Sequence, residues 1–187
     1  MPSGADLRVL HELWWSVLAP VAVVAAQQSV PAGLPLGNEA DPYRAVVARM
    51  VRAIVQYSRW PANPSRLQAC VVGPADHADD LIEGRQVAAL GVAVVRRSAD
   101  AVRPDDCQIV YLGRLGIDEA RAVTGRLQGE PVLTIAENDP ACRSRAMFCL
   151  LFEAESLSFR LNIDAVSRSR VRVDPRVLRL ADDGAAQ

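Results

Sequence analysis

The sequence predicts an α/β domain: a mainly parallel sheet flanked by helices on both faces, finished by a C-terminal antiparallel hairpin and short helices. Three observations carry that reading. Four short apolar runs, at 67–72, 92–95, 108–112 and 131–136, are nearly continuous, as strands buried on both faces are. Helical patterns follow the first and third of these runs, as parallel crossovers require. Past residue 146 the pattern changes, and the runs 147–152 and 157–161 stand close enough for an antiparallel hairpin. At 187 residues the chain suits one domain with its own core.

The elements follow in order. Residues 13–26 (LWWSVLAPVAVVAA) are apolar but for Ser16 and Pro20, and shorter than the ~20 residues a spanning helix needs. They end in Val24-Ala25-Ala26, small residues suited to a signal peptidase, so 1–26 reads as a signal peptide cut after Ala26. Arg8 is its only cation and is opposed by Asp6 and Glu12, which leaves an uncleaved anchor and a buried N-terminal helix as competing readings. Residues 27–40 are aperiodic and carry Pro and Gly, a linker to a folded domain at 41–181.

Asp41 is placed to cap a helix whose first residue is Pro42. Tyr43, Val47, Met50, Val51, Ile54 and Tyr57 give it one apolar face, and Pro61 predicts an end near Trp60, itself read as core. The strand 67–72 stops at Gly73-Pro74, and 76–89 reads as helix with Leu81, Ile82 and Val87 inward. The helix expected at 118–127 has Gly129 just past its end. After the hairpin, Asn162 caps a short helix through Arg168, and Asp174-Pro175 opens another through Ala181. The tail 182–187 is small and polar and is expected to fray.

Composition excludes several functions. Hydrophobic residues make up 50% and charged residues 23%, a globular balance. Every basic residue is Arg, which removes a P-loop or Schiff-base lysine. The net charge is −1 with arginines scattered among acids, so no concentrated basic footprint for nucleic acid is present. The four cysteines, Cys70, Cys107, Cys142 and Cys149, read in an oxidising compartment as two disulfides with three possible connectivities. Zinc fits poorly, because there is no C-x-x-C and His77 is the only histidine beyond the leader.

Motifs for catalysis are missing. The sequence holds no G-x-S-x-G, no G-x-x-x-x-G-K-[ST] and no G-x-G-x-x-G. Where a nucleotide fold would carry one, after Val72-Gly73, Pro74 lacks an N–H and Asp76 repels an anion. His77 with Asp76, Asp79 and Asp80 has the composition of a metal cluster but reads as the acidic first turn of a helix. Glu137, Asp139, Glu153 and Glu155 lie near strand ends and read as solvated loop acids. No catalytic centre, metal site or cofactor is expected, and the protein reads as a binding protein.

Several strings resemble one family. Tyr57-Ser58-Arg59-Trp60-Pro61 and Cys70-Val71-Val72-Gly73-Pro74 are similar to the opening of the YfiR family. Val110-Tyr111-Leu112-Gly113-Arg114-Leu115 and Pro131-Val132-Leu133-Thr134-Ile135-Ala136-Glu137 resemble its middle strands. Phe159-Arg160-Leu161-Asn162-Ile163-Asp164-Ala165 and Val173-Asp174-Pro175-Arg176-Val177-Leu178 resemble its C-terminal signature. Cys142 to Cys149 stand where many members carry a glycine pair, a pattern similar to the cysteine-bearing subgroup of pseudomonad type.

The resemblance implies a periplasmic protein, often a homodimer. It implies inhibition of an inner-membrane diguanylate cyclase through the cyclase's periplasmic region, hence lower cyclic di-GMP and less biofilm. An OmpA-like outer-membrane lipoprotein is implied as the partner that sequesters the inhibitor. A periplasmic sensor for a small-molecule ligand, without direct inhibition, is the alternative. The family pattern also implies the pairs Cys70–Cys107 and Cys142–Cys149. Their placement agrees: Cys70 lies in the first strand and Cys107 opens the third, often neighbours in doubly wound sheets, while Cys142 and Cys149 flank one short loop.

The candidate partner- or ligand-binding surface is Val166, Val171, Arg172, Asp174, Pro175 and Leu178, apolar residues interleaved with Arg168, Arg170 and Arg176. The competing reading packs Val173, Val177 and Leu178 against the sheet and leaves Leu178 buried. Export is directly testable. Protein from a periplasmic extract is expected to have an intact mass beginning at Gln27; full-length product with four free thiols would remove both the export and the disulfide readings.

Overall fold

In a computed structural model that describes residues 33–181, the first element lies inside the segment read as linker. Gly33–Pro35 (β1) pairs antiparallel with Ser156–Ser158 and adds an edge strand to the main sheet. Residues 1–32 and 182–187, with the leader, the rest of the linker and the tail, lie outside the described residues.

Helix α1, Pro42–Gln56, starts as its sequence dictates: the Asp41 carboxylate accepts the Tyr43 N–H at 3.1 Å, and proline fills the first helical position. Its buried face includes Val47, Met50, Val51 and Ile54, each at most 1% exposed. It ends about one turn before the Trp60 end that Pro61 suggested. Tyr57 closes the last turn, and Ser58–Arg59 (β2) then pairs with Arg172–Val173, which a helical backbone cannot do.

The parallel strands follow. Leu67–Val72 is β3. The helix expected at 76–89 is two short pieces, α2 (Asp79–Ile82) and α3 (Arg85–Ala88), because Gly84 adopts φ 73°, a left-handed conformation that glycine permits and a continuous helix does not. Val92–Arg97 is β4, two residues longer than its apolar run, and Ile109–Leu112 is β5. Helix α4, Ile117–Arg126, leads to β6, Leu133–Ala136. Phe148–Glu153 (β7) runs parallel to β6, and Ser156–Leu161 (β8) returns antiparallel as the expected hairpin. Asn162 accepts the Ala165 N–H at 3.0 Å and caps α5, Ile163–Arg168. Arg172–Val173 is β9, and Pro175–Ala181 closes the described chain as a 3₁₀ helix.

The main sheet has the order β1-β8-β7-β6-β5-β3-β4, with β2 and β9 forming a separate pair. Alternate residues divide the core into two layers. Ala69, Val71, Ile109, Tyr111, Leu133 and Ile135 meet α1, α2 and α3. Cys70, Val72, Val110, Leu112 and Ala136 meet Ala120, Val123 and Leu127 of α4 on the opposite face. The strands are therefore apolar on both sides because helices cover both sides.

Cys70 is joined to Cys107, with Cα atoms 5.7 Å apart, and Cys142 to Cys149, at 5.5 Å. Both links lie on the α4 face. On the loop-entropy account they stabilise the fold by about 3.9 and about 2.5 kcal/mol respectively, since the first closes a far longer loop. Denaturant unfolding of the two double alanine variants is expected to show the larger loss for Cys70/Cys107. Equal or reversed losses would mean that native packing, not loop length, sets the contributions.

Candidate functional site

Flavodoxin-like sheets bind ligands at the carboxyl ends of their strands, where the order reverses between the first and third parallel strands. Here that point lies between β3 and β5, and it is closed. Gly113 N–H donates to the Val72 carbonyl at 2.9 Å, and Arg114 N–H to the Pro74 carbonyl at 2.5 Å. The loops approach so closely that a Cβ at Gly113 would collide with the Pro74 carbonyl oxygen. From the end of β6, the Glu137 carboxylate accepts the Asp76 N–H at 3.0 Å and the His77 N–H at 2.8 Å. A phosphate would need such N–H groups; the protein's own carboxylate holds them.

Two acids thus differ from their reading as solvated loop residues. Glu137 is 2% exposed and Asp139 8%. Burial pulls the Asp139 carboxyl upward, but hydrogen bonds from Ser144 and from the Arg143 N–H outweigh it and leave its pKa below the usual carboxylate range. The partners are backbone donors that the residue types do not reveal. Beside Glu137, burial and the carboxylate push the Tyr111 phenol well above its ordinary pKa, and its hydroxyl has no hydrogen-bond partner among the described residues. His77 turns to Asp41, with Nδ1 2.9 Å from Oδ1, and no group of three metal-binding side chains occurs among the described residues.

The opposite, amino end of the sheet is open. A groove of about 790 Å³ runs between the β2–β9 pair and α5. Trp60, Val166, Val171 and Val173 supply apolar lining, and Arg59, Arg170 and Arg172 supply charge. Trp60 is buried as expected and donates its indole N–H to the Gln108 carbonyl at 3.2 Å, which fixes the groove wall to the start of β5. The two strand pairs Ser58↔Val173 and Arg59↔Arg172 bring the chain's first signature string against its last. None of the three arginines forms a direct ion pair with a carboxylate among the described residues; Asp174 lies near enough to act on Arg59, and the groove keeps an excess of positive charge. Beside it, Asp174 is clamped by Arg176, with contacts from 2.6 to 3.1 Å, which hold its carboxyl pKa down at about 2.

The expected surface is only partly brought together there. Val166, Val171 and Arg172 line the groove, although Val171 is 2% exposed and belongs to the core beneath it. Asp174 and Pro175 follow immediately after β9, with Pro175 exposed. Leu178 is 52% exposed, against the competing reading that packs it inward; Val177 packs instead. A 3₁₀ helix repeats every three residues, so the inward face falls on Val177 and passes over its neighbour. Sequence reasoning missed Arg59 and Pro61 as groove residues, and Ile163, 73% exposed. The signal for the first two was the string Ser58-Arg59-Trp60-Pro61, which was read as a helix end.

Comparison with known proteins agrees with this arrangement of signature strings. A family model described as YfiR/HmsC-like matches residues 44–182. The chain belongs to the YfiR/HmsC-like family. Its two disulfides suit the cysteine-bearing subgroup of that family. Among solved structures, a cystathionine gamma-lyase from Lactobacillus plantarum complexed with L-serine is similar at 10% identity and TM-score 0.43, over 81% of this chain and 42% of that one. A ureidoglycine-glyoxylate aminotransferase from Bacillus subtilis gives 10% identity and TM-score 0.40, over 81% and 40%. This YfiR/HmsC-like chain therefore spans less than half of either enzyme.

The sealed end of the YfiR/HmsC-like fold yields a stability prediction. Glu137→Ala strands two backbone donors and is expected to cost about 3 kcal/mol in urea unfolding. A loss below about 0.5 kcal/mol, the range of an ordinary surface change, would show that the carboxylate does not hold the loop.

Proposed function

We propose that this protein binds and inhibits the periplasmic region of an inner-membrane diguanylate cyclase, using the amino-end groove and the exposed residues that follow it. Family membership makes it a periplasmic regulator of diguanylate cyclase signalling. The single observation that carries the finer reading is the groove itself, where Arg59, Arg170 and Arg172 stand over an apolar lining with no acid among its lining residues. Such a surface suits an acidic, partly apolar protein segment. In the same reading, an OmpA-like outer-membrane lipoprotein competes for the inhibitor and frees the cyclase, and the inhibitor works as a homodimer. Inhibition lowers cyclic di-GMP and biofilm. No nucleotide need enter the protein, in keeping with the closed crevice between β3 and β5.

The alternative, a sensor for a small ligand without direct inhibition, is favoured by a second cavity on the other side of α5.

The test is a pair of surface changes. Arg172→Glu reverses an exposed charge in the groove, and Leu178→Asp places a carboxylate on an exposed apolar residue. Both are expected to leave the thermal melt close to that of the parent, to weaken copurification with the cyclase, and to raise cellular cyclic di-GMP toward the level of the gene deletion. Parental cyclic di-GMP and intact cyclase binding in Arg172→Glu would remove the groove from the interface. An unchanged level in the full deletion, with the cyclase expressed, would remove inhibition itself.

A further inference from the structure

The cavity beyond α5 measures about 380 Å³, within the range of small-molecule sites, and lies at the amino ends of β6 and β7 beside the last turn of α4. Asp164 and Arg168 of α5 line it, whereas Val166 and Ser167 line the groove; Ser169 lines both. The helix is thus a wall between two spaces.

The charges in the cavity leave a remainder. Arg168 donates through Nε and Nη2 to Asp164 Oδ1, at 3.0 and 2.9 Å, so those two cancel. Arg145, an exposed residue, also lines the cavity at its mouth, and its guanidinium has no hydrogen-bond or ion-pair partner among the described residues. The carbonyls of Thr124 and Gly125 at the end of α4 already accept from Leu127 and Gln128. One unopposed positive charge is left, next to apolar walls from Leu127, Val132 and Met147.

Arg145 is held there at a conformational cost. Its φ is 63°, a region that non-glycine residues adopt rarely. Its loop cannot relax, because Cys142 is linked to Cys149, Asp139 accepts the N–H of Arg143 and of Ser144, and Thr124 donates to the Ser144 carbonyl at 2.6 Å. Met147 N–H is tied to Thr134 at 2.9 Å on the far side. The strained residue is the one that carries the cavity's unpaired charge, as expected where strain serves binding.

We propose that this cavity binds a small organic monoanion, a carboxylate with an apolar body. Arg145 engages the carboxylate, and the body rests on a floor to which Leu127, Val132 and Met147 contribute. The site stands on its own residues and holds whether or not the groove binds a cyclase.

The experiment is an NMR titration of the isotope-labelled, disulfide-bonded protein with benzoate, and with benzylamine as its cationic counterpart. Benzoate is expected to shift the amides of Gly125, Arg145, Met147 and Ala165 saturably, and benzylamine to leave them in place. Arg145→Gly removes the guanidinium and suits the positive φ, so it is expected to melt no lower than the parent yet bind benzoate at least about tenfold more weakly. The proposal is overturned by the absence of saturable shifts, by shifts centred on Trp60 and Val173, by an equal response to benzylamine, or by parental affinity in Arg145→Gly.

Discussion

The Glu137 carboxylate is the constraint on which the rest of the molecule turns. An α/β sheet of this order has its natural ligand site at the carboxyl ends of its strands, where backbone N–H groups converge on anions. In this chain the carboxylate at the end of β6 takes the N–H groups of Asp76 and His77 for itself. The loop after β3 is therefore pulled across the crevice, and Gly113 allows its neighbour to close against it. A buried acid with two backbone partners is stable where an unpaired one would not be. The fold keeps its scaffold and closes the crevice between β3 and β5; a cavity of about 200 Å³ remains beyond β5 and β6, while the groove and the cavity beside α5 lie at the other end of the sheet.

The disulfides divide their work accordingly. Cys70–Cys107 ties β3 to the residue that leads into β5, at the amino end, near the Gln108 carbonyl that anchors Trp60. Cys142–Cys149 and the buried Asp139 carboxylate together fix the loop before β7, including the left-handed Arg145. One link therefore supports the groove and the other the cavity beside α5. Reduction would act on both open regions and leave the Glu137 closure in place.

How much of this the sequence disclosed depends on range. Asp41-Pro42 announced α1, and the run 67–72 coincides with β3, because capping and burial on both faces are local signals. Gly84 sits in the middle of the predicted helix at 76–89, and its positive φ is a local possibility that the apolar pattern concealed. The three-residue β1 and the two-residue β2 and β9 carry no periodicity at all; they exist because a partner strand is already in place. Glu137 looked like any loop acid because its donors lie some sixty residues upstream. The groove was half legible: its C-terminal side was expected, while Arg59 and Pro61 were hidden in a string read as a helix end.

The placement of α5 links these parts. Six residues are too few for a helix to persist by its own hydrogen bonds, and none of the six is fully buried. What holds α5 is the Asn162 cap at one end, the Ser169 hydroxyl on the Glu130 carbonyl, at 3.4 Å, at the other, and the packing of Ala165 and Val166 on the core. An element of that kind sits low on the stability scale of the fold and shifts more readily than the sheet behind it. Its two sides face two different spaces, one lined by three arginines and one by Arg145 beside an ion pair, none of these four in a direct ion pair among the described residues. The two spaces therefore share one short wall, with Ser169 lining both. Behind that wall stands the sheet, against whose core Ala165 and Val166 of α5 pack, so the frame that positions both spaces is the same one that Glu137 closes at its other end.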